Sequence, residues 1–248
     1  MPQRVGILGG TFDPVHFGHL RTAEEALEAL DLDSVLFVPA ADPPHKSQQR
    51  ITAFEHRWRM LQLAVQGNAG FRISDLEQRL AGKSYTVVTL SKLLEAHSGR
   101  AELYFLVGLD SFLELDTWWH YRELFQLARI VVLRRPGYSE EGVENFLQQK
   151  VSALYRWDRQ AHLYRHPELR PTYYLETTCM GVSSTQIRQL LSQGRSIRYL
   201  VPQEVMSYIR EKHLYGGRAG AEAASSMNTT QEELSVGNMK KSENDGGK

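Results

Sequence analysis

The sequence predicts an α/β fold: a doubly wound, Rossmann-like parallel sheet with helices on both faces. Three observations lead there. Short, continuously apolar runs recur along the chain. Segments with the apolar period of an amphipathic helix lie between them. The first apolar run stops at two glycines, Gly9 and Gly10. Strands that are apolar throughout need cover on both faces, and their alternation with helices is the pattern of parallel strands joined by crossovers.

In chain order the predicted strands are "VGIL" (5–8), "SVLFVP" (34–39), "FRIS" (71–74), "ELYFLVG" (102–108), "RIVVLRR" (129–135) and "TYYLET" (172–177). A helix after His19 places Leu20, Ala23, Leu27 and Leu30 on one face, and a helix after Ser84 does the same with Val87, Leu90, Leu93 and Leu94. Further on, Ser183 and Gln186 have capping-box spacing, with Ile187, Leu190 and Leu191 as the buried face behind them. From Gly216 the chain turns Gly-, Ser-, Asn- and Glu-rich with no apolar period. Such a segment buries too little surface to offset its ordering entropy. The predicted organisation is one domain over residues 1–215 and a disordered tail over 216–248.

Of the 248 residues, 42% are hydrophobic, enough for a substantial core. Lys+Arg and Asp+Glu both number 29, so there is no basic excess of the kind a general nucleic-acid binder carries. Local capture of a small anion remains compatible with that balance. The single cysteine, Cys179, cannot form an internal disulfide. No activating motif surrounds it, so a buried small residue is a better expectation than a nucleophile. No leader-like N-terminal segment and no bilayer-length apolar run is visible. The expectation is a cytoplasmic protein with neither nucleic-acid nor membrane partners, and a homo-oligomer is left open.

The chemistry concentrates in "GGTFDPVHFGHL". Gly9 and Gly10 bare the backbone where a buried strand ends. Pro14 bends the segment, and a helix begins near Phe17. The first N–H groups of that helix are unpaired and its dipole favours an anion. His16 and His19 lie just before and within the first turn, where imidazoles can donate to a phosphate as its charge develops. The spacing is neither the dinucleotide fingerprint nor a Walker loop. Zinc is a weaker reading, because two histidines alone leave its coordination incomplete. A second cluster, "GVSSTQIRQLL" (181–191), offers helix N–H groups, the hydroxyls of Ser184 and Thr185, and Arg188 as an anion clamp. Taken alone, it reads equally well as an ordinary capped surface helix.

"GGTFDPVHFGHL" resembles the (T/H)xGH signature of the nucleotidyltransferase superfamily, and "VSSTQIR" resembles its companion motif ISSTxIR. "PAADPPHK" (39–46), "SYTVVTL" (84–90), "VGLDSFLELDTWW" (107–119) and "VPQEVMSYI" (201–209) are similar to segments of the bacterial nicotinate-mononucleotide adenylyltransferases. The resemblance runs from Val5 to about Tyr215. It implies transfer of the adenylyl group of ATP to nicotinate mononucleotide, giving deamido-NAD and pyrophosphate, with Mg2+ held mainly by the phosphates rather than by a protein metal site. It further implies that His19 is the main donor to the α-phosphate, with His16 beside it. Gly9, Gly10, Thr11, Gly108, Asp110, Ser183, Ser184, Thr185 and Arg188 would hold ATP. His45, Lys46, Thr86, Trp118 and Arg135 would hold the mononucleotide. One departure is Trp119, where the family usually has tyrosine or phenylalanine.

Three alternatives stand beside this reading. One is a superfamily member acting on nicotinamide mononucleotide. Another is one acting on phosphopantetheine, although those enzymes are usually shorter and lack the PPHK, SYT and TWW segments. The third is a nucleotide sensor without catalysis, against which intact His16, His19 and Arg188 argue.

Overall fold

The computed structural model describes residues 2–43, 51–80, 82–98, 100–134 and 141–216. Its centre is an eight-stranded sheet in the order β3-β2-β1-β4-β5-β8-β7-β6. The strands are β1 (Gln3–Gly10), β2 (Ser34–Pro39), β3 (Phe71–Ile73), β4 (Ala101–Gly108), β5 (Arg129–Leu133), β6 (Arg156–Asp158), β7 (Leu163–Arg165) and β8 (Thr172–Leu175). Every strand expected from sequence is present, and those strands pair in parallel from β3 across to β8. Two short strands were not anticipated. β6 and β7 form an antiparallel pair that extends the sheet beyond β8, making it mixed.

Both faces are covered, as continuously apolar strands require. On one face Val5, Ile7, Leu103, Phe105, Val107, Ile130 and Val132 meet three helices in particular. These are α4 (Thr86–Ala96), through Val87, Leu90 and Leu93; α5 (Leu109–Leu113), through Leu109 and Phe112; and α6 (Tyr121–Leu127), through Leu124 and Phe125. Val143 of α7 (Glu141–Phe146) completes this core. The alternate residues Leu8, Val35, Phe37, Leu106, Val131 and Leu133 face the other way. They meet α1 (Phe17–Ala29), α2 (Phe54–Val65), α8 (Ser184–Ser192) and α9 (Gln203–Glu211) through Ala23, Ala26, Met60, Leu61, Ile187, Val205 and Ile209. A short helix, α3 (Leu76–Arg79), follows β3.

The order β3-β2-β1-β4-β5 reverses direction between β1 and β4. The loops leaving the carboxyl ends of those two strands therefore diverge to opposite faces and open a crevice, where sheets of this kind take their ligands. Among the described residues no helix is long and apolar enough to cross a membrane.

Candidate active site

The loop from β1 into α1 carries the paired histidines. His16 is the N-cap of α1, and His19 occupies the third helical position. Their backbones and rings interlock at the helix start: the His19 N–H donates to the His16 carbonyl at 3.0 Å, and the His16 N–H donates to His19 Nδ1 at 3.3 Å. Accepting that bond requires the Nδ1 lone pair, so the neutral His19 ring carries its proton on Nε2. The two rings stack with centroids 3.7 Å apart. Phe12 packs edge-on to His19 at 5.0 Å. It holds this place with a left-handed backbone, φ 49°, which costs a bulky residue about 1–3 kcal/mol and persists only where its surroundings enforce it.

Those surroundings come from distant parts of the chain. Arg188 Nη1 donates to the Asp13 carbonyl at 2.7 Å, and Ser184 Oγ donates to the Pro14 carbonyl at 2.9 Å. The two sequence motifs therefore meet. Ser183 caps α8 by accepting from Gln186 N–H at 3.1 Å, and Arg188 also reaches Thr185 Oγ1 at 3.2 Å. Arg57 is buried and donates to the carbonyls of Thr11 and Thr52, both at 2.8 Å. Burial pushes its guanidinium below the ordinary value, and the charge of Asp13 pulls it partly back. The Asp13 carboxylate is itself buried. It accepts from Thr52 N–H and from the hydroxyl of Tyr215. Burial, and then the charge of Asp13, push the Tyr215 phenol up, so the hydroxyl keeps its proton and donates. Asp13, Arg57 and Tyr215 were not singled out from sequence. Asp13 lies inside the quoted motif and could have been, whereas nothing local marks the other two.

Between β1 and β4 opens a cleft of about 910 Å³, counting the solvent at its mouth. Of the residues selected from sequence, Gly9, His16, His19, Gly108, Asp110 and Trp118 line it. Gly108 caps α5, which puts Asp110 in that helix's first turn. Trp118 is half-buried and meets the edge of Phe105 at 6.4 Å. Gly10, Thr11, Ser183, Ser184, Thr185 and Arg188 are not among the residues that line it. Gly10 and Thr11 spend their carbonyls on Ala40 N–H and Arg57, and the α8 residues brace the loop as described. Thr86 opens α4, whose approach is tied to the exit of β2 by Ser84 Oγ accepting from Ala41 and Asp42 N–H. His45, Lys46 and Arg135 lie outside the described residues. Arg134, the neighbour of Arg135, does line the cleft and pairs with Glu176 at 3.1 Å.

A further wall is the segment Thr177–Met180 after β8, which the sequence did not mark as part of a site. Glu25 of α1 holds it, accepting from the N–H of Thr178 at Oε2 and from the Thr178 hydroxyl and Arg21 Nε at Oε1. Burial alone would push the Glu25 carboxyl up. The bonds from Thr178 and Arg21 outweigh that and hold it below the usual range. Cys179 corrects an expectation: it is exposed rather than buried, because it rides on this wall and not in either core. Trp119 is half exposed and packs on Tyr85 and His120, with centroids 4.8 and 4.1 Å away.

A family profile described as cytidylyltransferase-like matches residues 7–190. Among curated proteins, one from Trichlorobacter lovleyi is 46% identical over 86% of this chain and 99% of its own length. Another, from Syntrophotalea carbinolica, is 44% identical over 86% and 97%. Both carry the name probable nicotinate-nucleotide adenylyltransferase. Among solved structures, the Plasmodium falciparum nicotinic acid mononucleotide adenylyltransferase complexed with NaAD superposes with a TM-score of 0.67. It is 17% identical and covers 86% of this chain and 97% of its own, which is a likeness of fold.

Proposed function

Because the chain belongs to the cytidylyltransferase-like family and, within it, to the nicotinate-nucleotide adenylyltransferases, we propose that it transfers the adenylyl group of ATP to nicotinate mononucleotide. The products are deamido-NAD and pyrophosphate, a step of NAD biosynthesis. The observation that carries this reading is the stacked His16–His19 pair in the cleft between β1 and β4, on a loop that α8 grips through Ser184 and Arg188.

The mononucleotide phosphate attacks the α-phosphorus of ATP in line and pyrophosphate leaves, with no covalent intermediate. The protein then works by positioning and by stabilising charge. His19 is the donor to the α-phosphate. Its Nδ1 is occupied by the His16 N–H, which leaves Nε2–H as the proton the ring offers. His16 supports the neighbouring phosphate oxygens. Gly9, Gly10 and Thr11 accept the nucleotide along the backbone, and Gly108 and Asp110 hold its adenosine half. Ser183, Ser184, Thr185 and Arg188 hold the outer phosphates, for which the bonds of Arg188 to Asp13 and Thr185 prearrange its fork. Thr86 and Trp118 take the nicotinate ring, an electron-poor plane suited to an indole face. His45, Lys46 and Arg135 complete the mononucleotide side. The catalytic unit is residues 1–215, acting in the cytoplasm on small-molecule substrates.

Mg2+ would be carried in by the phosphates of ATP. Among the described residues no group of three or more His, Cys, Asp or Glu could hold a metal ion, and Asp110 is the acidic residue that lines the cleft. Such a donor set suits an ion that keeps its phosphate and water ligands. Bound there, Mg2+ would offset charge on the phosphates.

The test is pyrophosphate release from ATP with each mononucleotide. The acid is expected to exceed the amide in kcat/KM by at least about tenfold, or about 1.4 kcal/mol of transition-state discrimination. Equal values would refute the acid preference and leave adenylyl transfer standing.

A further inference from the structure

The loop that carries the histidines is held at Asp13 by the last residues of the described chain. Tyr215 lies 202 positions from Asp13 and donates its hydroxyl to Oδ1, while Thr52 N–H occupies Oδ2 at 3.2 Å. The Asp13 carbonyl is taken by Arg188. Asp13 is thus fixed at three oxygens from three directions, and it is buried. Its neighbour Phe12 holds a left-handed backbone against the edge of the His19 ring, and His16, three residues on, caps α1 and stacks on the same ring. A shift at Asp13 therefore reaches His19 by two short routes, through Phe12 and through His16.

The far end of this contact is also built for it. After α9 the chain passes through left-handed backbone at His213 (φ 50°) and again at Tyr215 (φ 64°). Neither is glycine, so a tertiary contact must compensate for the turn. The ring of Tyr215 packs against the core that holds α1 and α9, and its hydroxyl reaches past that core to Asp13. Removing only the hydroxyl would leave the packing in place and free Oδ1.

We propose that Tyr215 is a positioning residue for the catalytic loop, acting through Asp13 to set the His19 imidazole for its phosphate. This rests on the adenylyl-transfer reading above. The mechanism needs His19 Nε2–H placed to a fraction of an ångström, and the Tyr215 hydrogen bond, one of three at Asp13, is part of what sets it.

The test is Tyr215→Phe in the full chain, read in two ways. Steady-state turnover should show kcat lowered about tenfold with both KM values within about twofold. Histidine ring NMR, with the His19 signal identified through His19→Asn, should show that signal displaced while the protein remains folded by circular dichroism. Unchanged kcat overturns the proposal. So does a loss of activity that merely follows the unfolded fraction with the His19 signal unmoved. If the wild-type chain releases no pyrophosphate from ATP and nicotinate mononucleotide, the adenylyl-transfer reading fails. The His19 signal still decides the coupling in that event: displacement sustains it and an unmoved signal ends it.

Discussion

At the scale of single residues, Gly18 shows how little slack the histidine pair has. A Cβ at this position would stand 3.0 Å from His16 Nδ1 and 3.1 Å from Val182 Cγ1. Both contacts are tighter than ordinary packing, so a methyl group must push the imidazole or the segment leading into α8. Gly18→Ala should therefore lower kcat by about tenfold or more, while the melting temperature falls by only about 2–4 °C. Pyrophosphate release and thermal circular dichroism measure the two. His16 and His19 were legible in sequence because their spacing, the glycines before them and the helix start are all local. The partners of Asp13 were not. They come from residues 39, 175 and 202 positions away, and local pattern carries no information on such pairings.

Among the elements, α1 does more than present His19. Through Glu25 it also holds the Thr177–Met180 wall, so one helix sets both sides of the cleft. The Glu25 carboxyl is held below its usual range in the folded chain. A depressed carboxylate contributes stability that is present above its unfolded pKa and lost as pH falls through its folded one. Glu25→Gln should thus melt about 2–4 °C below wild type at pH 7, and the gap should close as pH drops below about 4.3. Parallel thermal melts across pH 3–7 measure it. The helices with long apolar stripes, α1, α4 and α8, were readable from their period. The strands β6 and β7 were not. "RWD" and "LYR" are too short to show alternation, and they exist because the exposed side of β8 offered backbone groups to pair with.

Over the whole molecule, the two cores share their central strands. Phe105 and Val107 point into one and Leu106 into the other, so neither core can come apart without the sheet. Leu106→Ala should cost about 2–5 kcal/mol. Its urea transition should shift equally by tryptophan fluorescence and by far-ultraviolet circular dichroism, as expected of one cooperative unit. Non-coincident shifts would show the cores melting apart. The doubly wound architecture was legible because it follows from strands that must be dry on both sides. That α8 acts with the β1–α1 loop was implied by the resemblance of "VSSTQIR", whereas the hydrogen bonds of Ser184 and Arg188 that make the grip were not legible. A last consequence follows from how the sheet finishes. Each margin is a strand of three residues, β3 on one side and β6 on the other. Rows of unmet amides that brief give an incoming chain almost nothing to zip onto, so any self-association of this protein would use its helical flanks rather than grow the sheet from copy to copy.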